Sequence, residues 1–271
     1  MNYKSGIDFI IVIFYRFGYA QLLVESIKKY VKDIPYTIHI TNNGINEGEN
    51  SGYDILKDMF KDESSVKVHK GVEQGIDSNE EHYNDYICKI DGRGVAIGSW
   101  AQTEAMNIGV REGDRKYICY LDADAIFLNE WVGDILPMLG DKFFVTHAWR
   151  NDIDISVSQF TIFKRKNIVD NYLYEKDDLY PNIHYKDVTG TLSLYCQEKN
   201  LSYVVLKNSF NDHSLKSQHL LNLKNGEQTW INDVPFFYHY GRGSVRKDDL
   251  YMDWMRESAK YLNLKIKDIT L

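Results

Sequence analysis

Residues 8–16, DFIIVIFYR, set the tightest limit on the fold. After the aspartate, positions 9–15 are all apolar or aromatic, without polar alternation, so a strand formed here must be covered on both faces. AQLLVESIKKYV (20–31) follows with its apolar residues at helical spacing and completes a β-α unit. YTIHITNNG (36–44) reads as a second strand ending in turn formers, SGYDILKDMF (51–60) as a second helix, and VKVHKG (66–71) as a third strand. Strands alternating with helices in this way predict a largely parallel sheet with helices on both sides.

From Val72 to Ile97 the pattern fails, and Gly71, Gly75, Gly92 and Gly94 punctuate a polar stretch longer than most connections in a domain, which reads as a functional loop or lid. A helix is expected from about Ser99 to Glu112, packing through Ala101, Ala105 and Ile108. Then comes YICYLDADAIF (117–127), an apolar run that stops at Asp122 and Asp124 with Ala123 between them. Strand positions i and i+2 project the same way, so both carboxylates can address one hard cation. The chain carries its own control: Asp152-Ile153-Asp154 has the same spacing but no apolar strand in front of it. Beyond Asn129, where a helix is expected to begin, lie FFVTHAW, SQFTIFKR, a helix near 190–200, SYVVL and FFYHYG, a more mixed arrangement. Leu250 and Trp254 share a helical face for packing, and LNLKIKDITL reads as an edge strand or a docking tail.

With 271 residues, 44% of them hydrophobic, and no repeat or proline-rich linker, the chain reads as one domain with a nucleotide-binding half (1–128) and an acceptor half (129–271). A formal charge of −7 argues against wholesale binding to polyanions. Cys88, Cys119 and Cys196 are odd in number and widely spaced, which points to a reducing compartment, the cytoplasm of a bacterium or of a virus-infected host cell. No uninterrupted apolar run of about 18 residues occurs, and the first residues lack the pattern of an export signal.

Taken in order, these segments resemble the GT-A glycosyltransferases, and among them the family 2-like members, from about Asp8 to Arg246. The resemblance is carried by the first strand with its polar end, the TNNG turn, AQTEAMNIGV, YLDAD, YKDVTGTLSLYCQEKN and FYHYGRGS. It implies an α/β, Rossmann-like GT-A fold: a mostly parallel central sheet flanked by helices, with a mixed C-terminal acceptor half. It also implies transfer of a sugar from a nucleoside diphosphate donor, a UDP-sugar foremost, to an acceptor hydroxyl. Ligands of such sheets lie outside the carboxyl ends of the strands, which places Phe14, Tyr15, Arg16, Asn42 and Asn43 around base and ribose. An ordinary turn is the other reading of Asn42-Asn43-Gly44. By resemblance Asp124 is the more direct ligand of Mn²⁺ or Mg²⁺, Asp122 assists and faces the ribose, and His239 is a further ligand. Arg242, Ser244 and Arg246, with Lys247, would close over the diphosphate, and Trp149, Arg150 and Asp152 would meet donor sugar or acceptor. Asp187 would be the base of an inverting reaction, taking the acceptor's proton; its other reading is N-cap of the helix behind it.

Two positions depart from the family pattern. Asn replaces the usual aspartate in TNNG and both accepts and donates, and Lys186 replaces the usual glutamate before Asp187, whose pKa it would lower if the side chains meet. The acceptor is left as a glycan or a hydroxymethylated base of phage DNA. Two other readings stand beside this one. A nucleotidyltransferase or pyrophosphorylase would call for a glycine-rich basic loop where FYRFGYAQ stands, and a non-catalytic carbohydrate-binding protein would have no need of the aligned acids. His213 and His219 read as surface residues.

Overall fold

The computed structural model describes residues 3–14, 16–48, 51–71, 87–88, 95–151, 154–169, 189–221, 226–241 and 250–265. The first half contains β1 (Lys4–Ile13), α1 (Gly18–Tyr30), β2 (Tyr36–Asn42), α2 (Gly52–Met59), β3 (Val66–Lys70), β4 (Ile87–Cys88), β5 (Val95–Ala96), α3 (Ile97–Glu112), β6 (Arg115–Asp122) and β7 (Ala125–Phe127). The second contains α4 (Val132–Leu139), β8 (Phe144–Thr146), β9 (Trp149–Arg150), β10 (Ile155–Ser156), β11 (Phe160–Lys164), α5 (Arg165–Val169), α6 (Gly190–Glu198), β12 (Val204–Val205), β13 (Lys207–Asn208), β14 (Glu227–Ile231), β15 (Val234–His239) and α7 (Leu250–Leu262).

Seven strands form the main sheet in the order β12-β8-β11-β6-β1-β2-β3. β1 pairs in parallel with β2 and β6, β2 with β3, and β12 with β8, while β11 runs against both its neighbours. β1 therefore lies between two strands, and its side chains divide by the period of two. Ile7, Phe9, Ile11 and Ile13 join a core with Leu22, Leu23 and Ile27 of α1, whereas Ile10 joins Met106 and Val110 of α3 on the other face. All these side chains are at most 2% exposed, as the unalternated run requires. A second, four-stranded sheet has the order β13-β14-β15-β7. The chain passes into it directly from β6, through Ala123 and Asp124.

Several expectations shift at their edges. β1 begins at Lys4, and α4 begins at Val132 because Asn129 instead donates from Nδ2 to Pro235 O at 2.7 Å, tying the segment to β15. His219 is half-buried, not a surface residue: it pairs with Ser209 Oγ at 2.9 Å and packs against Trp230 and Tyr238. Trp254 of α7 is fully buried, edge-on to Tyr19. Of the last segment, 262–265 is described and holds the end of α7, not a strand. Among the described residues no helix is long and apolar enough to cross a membrane.

A polar chain crosses the α3-covered face, starting from buried Asp8 toward the N-terminal ends of the parallel strands and reaching half-buried His69 on β3. Asp8 accepts from Arg165 Nη2 at 2.7 Å and from the Arg115 amide at 2.8 Å, and meets His39 Nε2 at 3.2 Å. His39 Nδ1 in turn lies 3.0 Å from His69 Nε2, with the two rings stacked. Burial, with the His39 ring beside it, pushes His69 down from 6.5 to about 4. A group that resists protonation only when folded contributes stability that is fully present above its unfolded pKa and is lost as pH falls. Of the fall in urea midpoint between pH 6.5 and pH 4, the part that His69 contributes should therefore be missing in His69→Gln. Identical slopes in the two proteins would remove His69 from the account.

Candidate functional site

The two acidic residues sit at the seam between the sheets. Asp122 is the last residue of β6, next to Val12 of β1, and Asp124 lies in the turn before β7. Sequence spacing suggested two positions of one continuous strand; the structure reaches the same convergence by turning the chain between them. β7 then pairs with β15 so that Ala125 faces His239, which delivers the imidazole to the seam from 115 residues downstream of Asp124. His239 Nε2 lies 3.3 Å from Asp124 Oδ1 and 3.6 Å from Asp122 Oδ2. One ligand atom from each residue falls within 4.8 Å of the others, the spacing of a divalent-cation site.

The surroundings hold this arrangement in place. Asp122 Oδ1 accepts from Ser158 Oγ at 3.1 Å and Gln102 Nε2 at 3.3 Å, and Asp124 O accepts from the Tyr240 amide at 2.9 Å. His239 Nδ1 meets Glu227 Oε2 at 3.1 Å. Burial alone would lower the His239 pKa, but Asp124 and Glu227 outweigh it and raise it well above its ordinary value. Burial likewise opposes ionisation of Glu227, yet its hydrogen bond to His239 brings its pKa below the usual value. Three carboxylates around one imidazole form an excess of negative charge at low exposure, and such a field favours a cation. Hard oxygen donors with a single nitrogen suit Mn²⁺, and the oxygens alone suit Mg²⁺.

The ends of β1 and β2 approach each other beside the acids. The Asn43 amide donates to Ile13 O at 2.7 Å, and a Cβ on Gly44 would lie 2.7 Å from Phe14 O, so only glycine permits this contact without displacement. Asn42 is fully buried and organises the turn, donating from Nδ2 to Ile45 O and Asn46 Oδ1. Thr41 Oγ1, Asn42 Oδ1 and Asn43 Oδ1 are buried without hydrogen-bond partners. Arg16 has a positive φ of 59°, sets its guanidinium 3.9 Å from the Tyr251 ring centre and reaches Tyr19 Oη. The structure thus brings Phe14, Asn43 and Asp122 to one rim and gives Asn42 a turn-forming role and Arg16 a stacking one.

Tyr15, Asp152, Lys186, Asp187, Arg242, Ser244, Arg246 and Lys247 lie outside the described residues, as does most of the 72–97 segment. The N-cap of α6 is Thr189, whose Oγ1 donates to Ser156 O at 2.6 Å. Asp154, half of the look-alike pair, accepts from Trp149 Nε1 and Gln197 Nε2 and has no place at the seam. Sequence reasoning missed Glu227, Ser158 and Gln102, as well as His147, which is buried between Gln159 and Thr229 with its ring 6.3 Å from that of His239. Two segments gave a signal: THAW, a histidine directly after an apolar strand, and AQTEAMNIGV, which contains Gln102.

No protein-family model matches the chain, and no curated protein does either. Solved structures do. The apo form of the glycosyltransferase GlyE of Streptococcus pneumoniae matches with a TM-score of 0.51 and 15% identity, over 97% of this chain and 63% of that one. S. aureus TarS 1–349 in complex with UDP-GlcNAc gives 0.48 and 12%, over 97% and 68%. The mannosyltransferase PcManGT from Pyrobaculum calidifontis, in complex with GDP-Man and Mn²⁺, gives 0.47 and 10%, over 75% and 55%. The chain spans between 55% and 68% of these three solved chains, of which the TarS one is the fragment 1–349. Its sheet order, its single reversed strand inside a parallel sheet and its superposition on GlyE agree: the chain has the GT-A fold of the nucleotide-sugar glycosyltransferases.

Proposed function

We propose that the protein is a metal-dependent glycosyltransferase that moves a sugar from a nucleoside diphosphate donor, a UDP-sugar foremost, to a hydroxyl of a glycan. The observation that carries this reading is the convergence of Asp122, Asp124 and His239 at the carboxyl rim of a parallel sheet. When bound there, Mn²⁺ or Mg²⁺ supplies positive charge against the departing diphosphate. The chain's own residues do the rest. Phe14 and Asn43 border the base site, where the unpartnered Asn43 Oδ1 can accept from a ring N–H. Arg242, Ser244 and Arg246 supply donors to the diphosphate oxygens. Asp187 takes the acceptor's proton, as an inverting reaction requires.

A groove beyond β8 favours a glycan over DNA. Its cavity of about 480 Å³ is lined by Trp149, Asn151, Tyr203, Lys207, Asp212 and Leu215, among others. The Trp149 and Tyr203 rings stack at 4.7 Å. β8 and β12 run in the direction of β6, so the residues that follow them approach the rim that bears the acids. The two charged residues named are of opposite sign, and Lys207 is already paired with Asp233 at 2.6 Å. Among the described residues that line it, a polyphosphate finds no unpaired basic group, whereas amides and aromatic rings suit neutral sugars.

The test is release of nucleoside diphosphate from sugar nucleotides with and without Mn²⁺. Metal-dependent release, little salt dependence of glycan binding and an inverted anomeric centre in the product are the expected results. Asp187→Asn should lower turnover and spare donor affinity. Release of inorganic pyrophosphate instead would favour a nucleotidyltransferase, and no turnover of any sugar nucleotide would favour a binding protein.

A further inference from the structure

Glu227 and His239 stand directly opposite each other on β14 and β15, and β15 is paired on its other side with β7. The backbone of His239 is thereby fixed on both flanks, leaving the ring's own rotation as the freedom to be controlled. The two ring nitrogens meet different partners: Nδ1 lies 3.1 Å from Glu227 Oε2, while Nε2 faces Asp124 and Asp122. His147, the neighbouring imidazole, has both nitrogens engaged, by Thr229 and Gln159, and offers Glu227 no competition for His239. The approach to Glu227 is itself constrained. Gly226 has φ +132°, and a Cβ there would lie 2.3 Å from Tyr238 Oη, so β14 starts in a conformation that glycine alone adopts readily.

From this geometry we infer that Glu227 is a positioning residue of the metal centre: it accepts the Nδ1–H of His239, aims the Nε2 lone pair at the cation, and so biases the site toward Mn²⁺ over Mg²⁺. The inference rests on the reading of Asp122, Asp124 and His239 as cation ligands. A ligating histidine gains basicity and a fixed tautomer when its second nitrogen donates to a carboxylate, and loss of such a partner weakens metal binding by about 10–100-fold. Loss of the Glu227 charge weakens the field felt by either ion, but only the nitrogen ligand owes its orientation to Glu227, so Mn²⁺ should lose more than Mg²⁺, which is bound chiefly through oxygens.

The experiment measures binding of Mn²⁺ alone to the full chain, from the paramagnetic signal of the free ion, and Mg²⁺ by competition, with no substrate present. Glu227→Ala is expected to weaken Mn²⁺ about 10–100-fold and Mg²⁺ by a clearly smaller factor. Glu227→Gln, which keeps the side chain's size, covers the case in which the alanine variant fails to fold, and should also favour Mg²⁺ relative to the parent. In a His239→Ala background, Glu227→Ala should add no more than the charge effect common to both ions, because the residue positions the site through the imidazole. Equal weakening of both ions, a full additional loss in the His239→Ala background, or unchanged Mn²⁺ affinity in both Glu227 variants would each overturn the assignment. If the parent protein bound neither ion, the cation reading would fall as well, whereas a parent that binds Mn²⁺ beside indifferent Glu227 variants would overturn the positioning role alone.

Discussion

Asp124→Ala is expected to lower metal-dependent turnover by at least about a hundredfold, the scale on which removing one stabiliser of developing charge is felt. Mn²⁺ titration should show the cause directly, as a loss of binding. The fold should survive, because the variant leaves His239 paired with Glu227 at 3.1 Å and near Asp122 at 3.6 Å, with no buried charge abandoned. A shift in melting temperature beyond about 2–4 °C, roughly 1 kcal/mol for a chain of this size, would signal a structural effect instead. Asp154→Ala is the matched control. Its carboxylate belongs to the same kind of Asp-x-Asp pair but holds Trp149 and Gln197, so metal binding should be unchanged. Turnover of Asp124→Ala within tenfold of the parent would remove Asp124 from the ligands.

Arg165→Met should cost about 3–5 kcal/mol of stability, because it strips a buried carboxylate of its counter-charge. Asp8 is fully buried and Arg165 only 2% exposed. The guanidinium also donates to Val110 O at 2.6 Å and Arg115 O at 2.7 Å, so one side chain ties the end of α3 and the start of β6 to β1. No slack exists around it: a Cβ on Gly113 would lie 2.4 Å from Asp8 Oδ2 and 2.6 Å from Arg165 Nη2. Urea unfolding measures the loss. A change below about 1 kcal/mol would mean that water or a neighbouring group replaces the arginine. Mn²⁺ binding by the folded fraction should be retained, since this cluster lies toward the opposite ends of the strands from Asp122.

Part of the parallel sheet was legible because burial on both faces leaves a mark in the sequence: β1 and β6 carry apolar residues where a half-exposed strand would carry polar ones, whereas β2 alternates through Thr37, His39 and Thr41 although it is buried as well. Strand direction left no such mark. FTIFK reads the same whether it runs with or against its neighbours, and only the pairing of β11 with β6 and β8 reveals the reversal. Asp122 and Asp124 were legible from their context, and His239 from the resemblance. Glu227 was not, because its meaning comes from cross-strand register, and EQTWI alone resembles any strand with a polar start. Asn42 illustrates the reverse case. TNNG is compatible with a turn or with ligand binding, and only the bonds from Nδ2 to Ile45 and Asn46 reveal that this amide forms the turn.

Placing the acids where the chain crosses between two sheets has a consequence for how the protein is made. The β7–β15 pairing closes a loop of more than a hundred residues, and contacts so distant in sequence form late and slowly compared with local ones. A nascent chain that extends only through Asp124 carries both carboxylates without the imidazole of His239 that joins them later. It acquires its full set of cation donors only when residues 227–239 dock, so capacity for metal reports completion of folding.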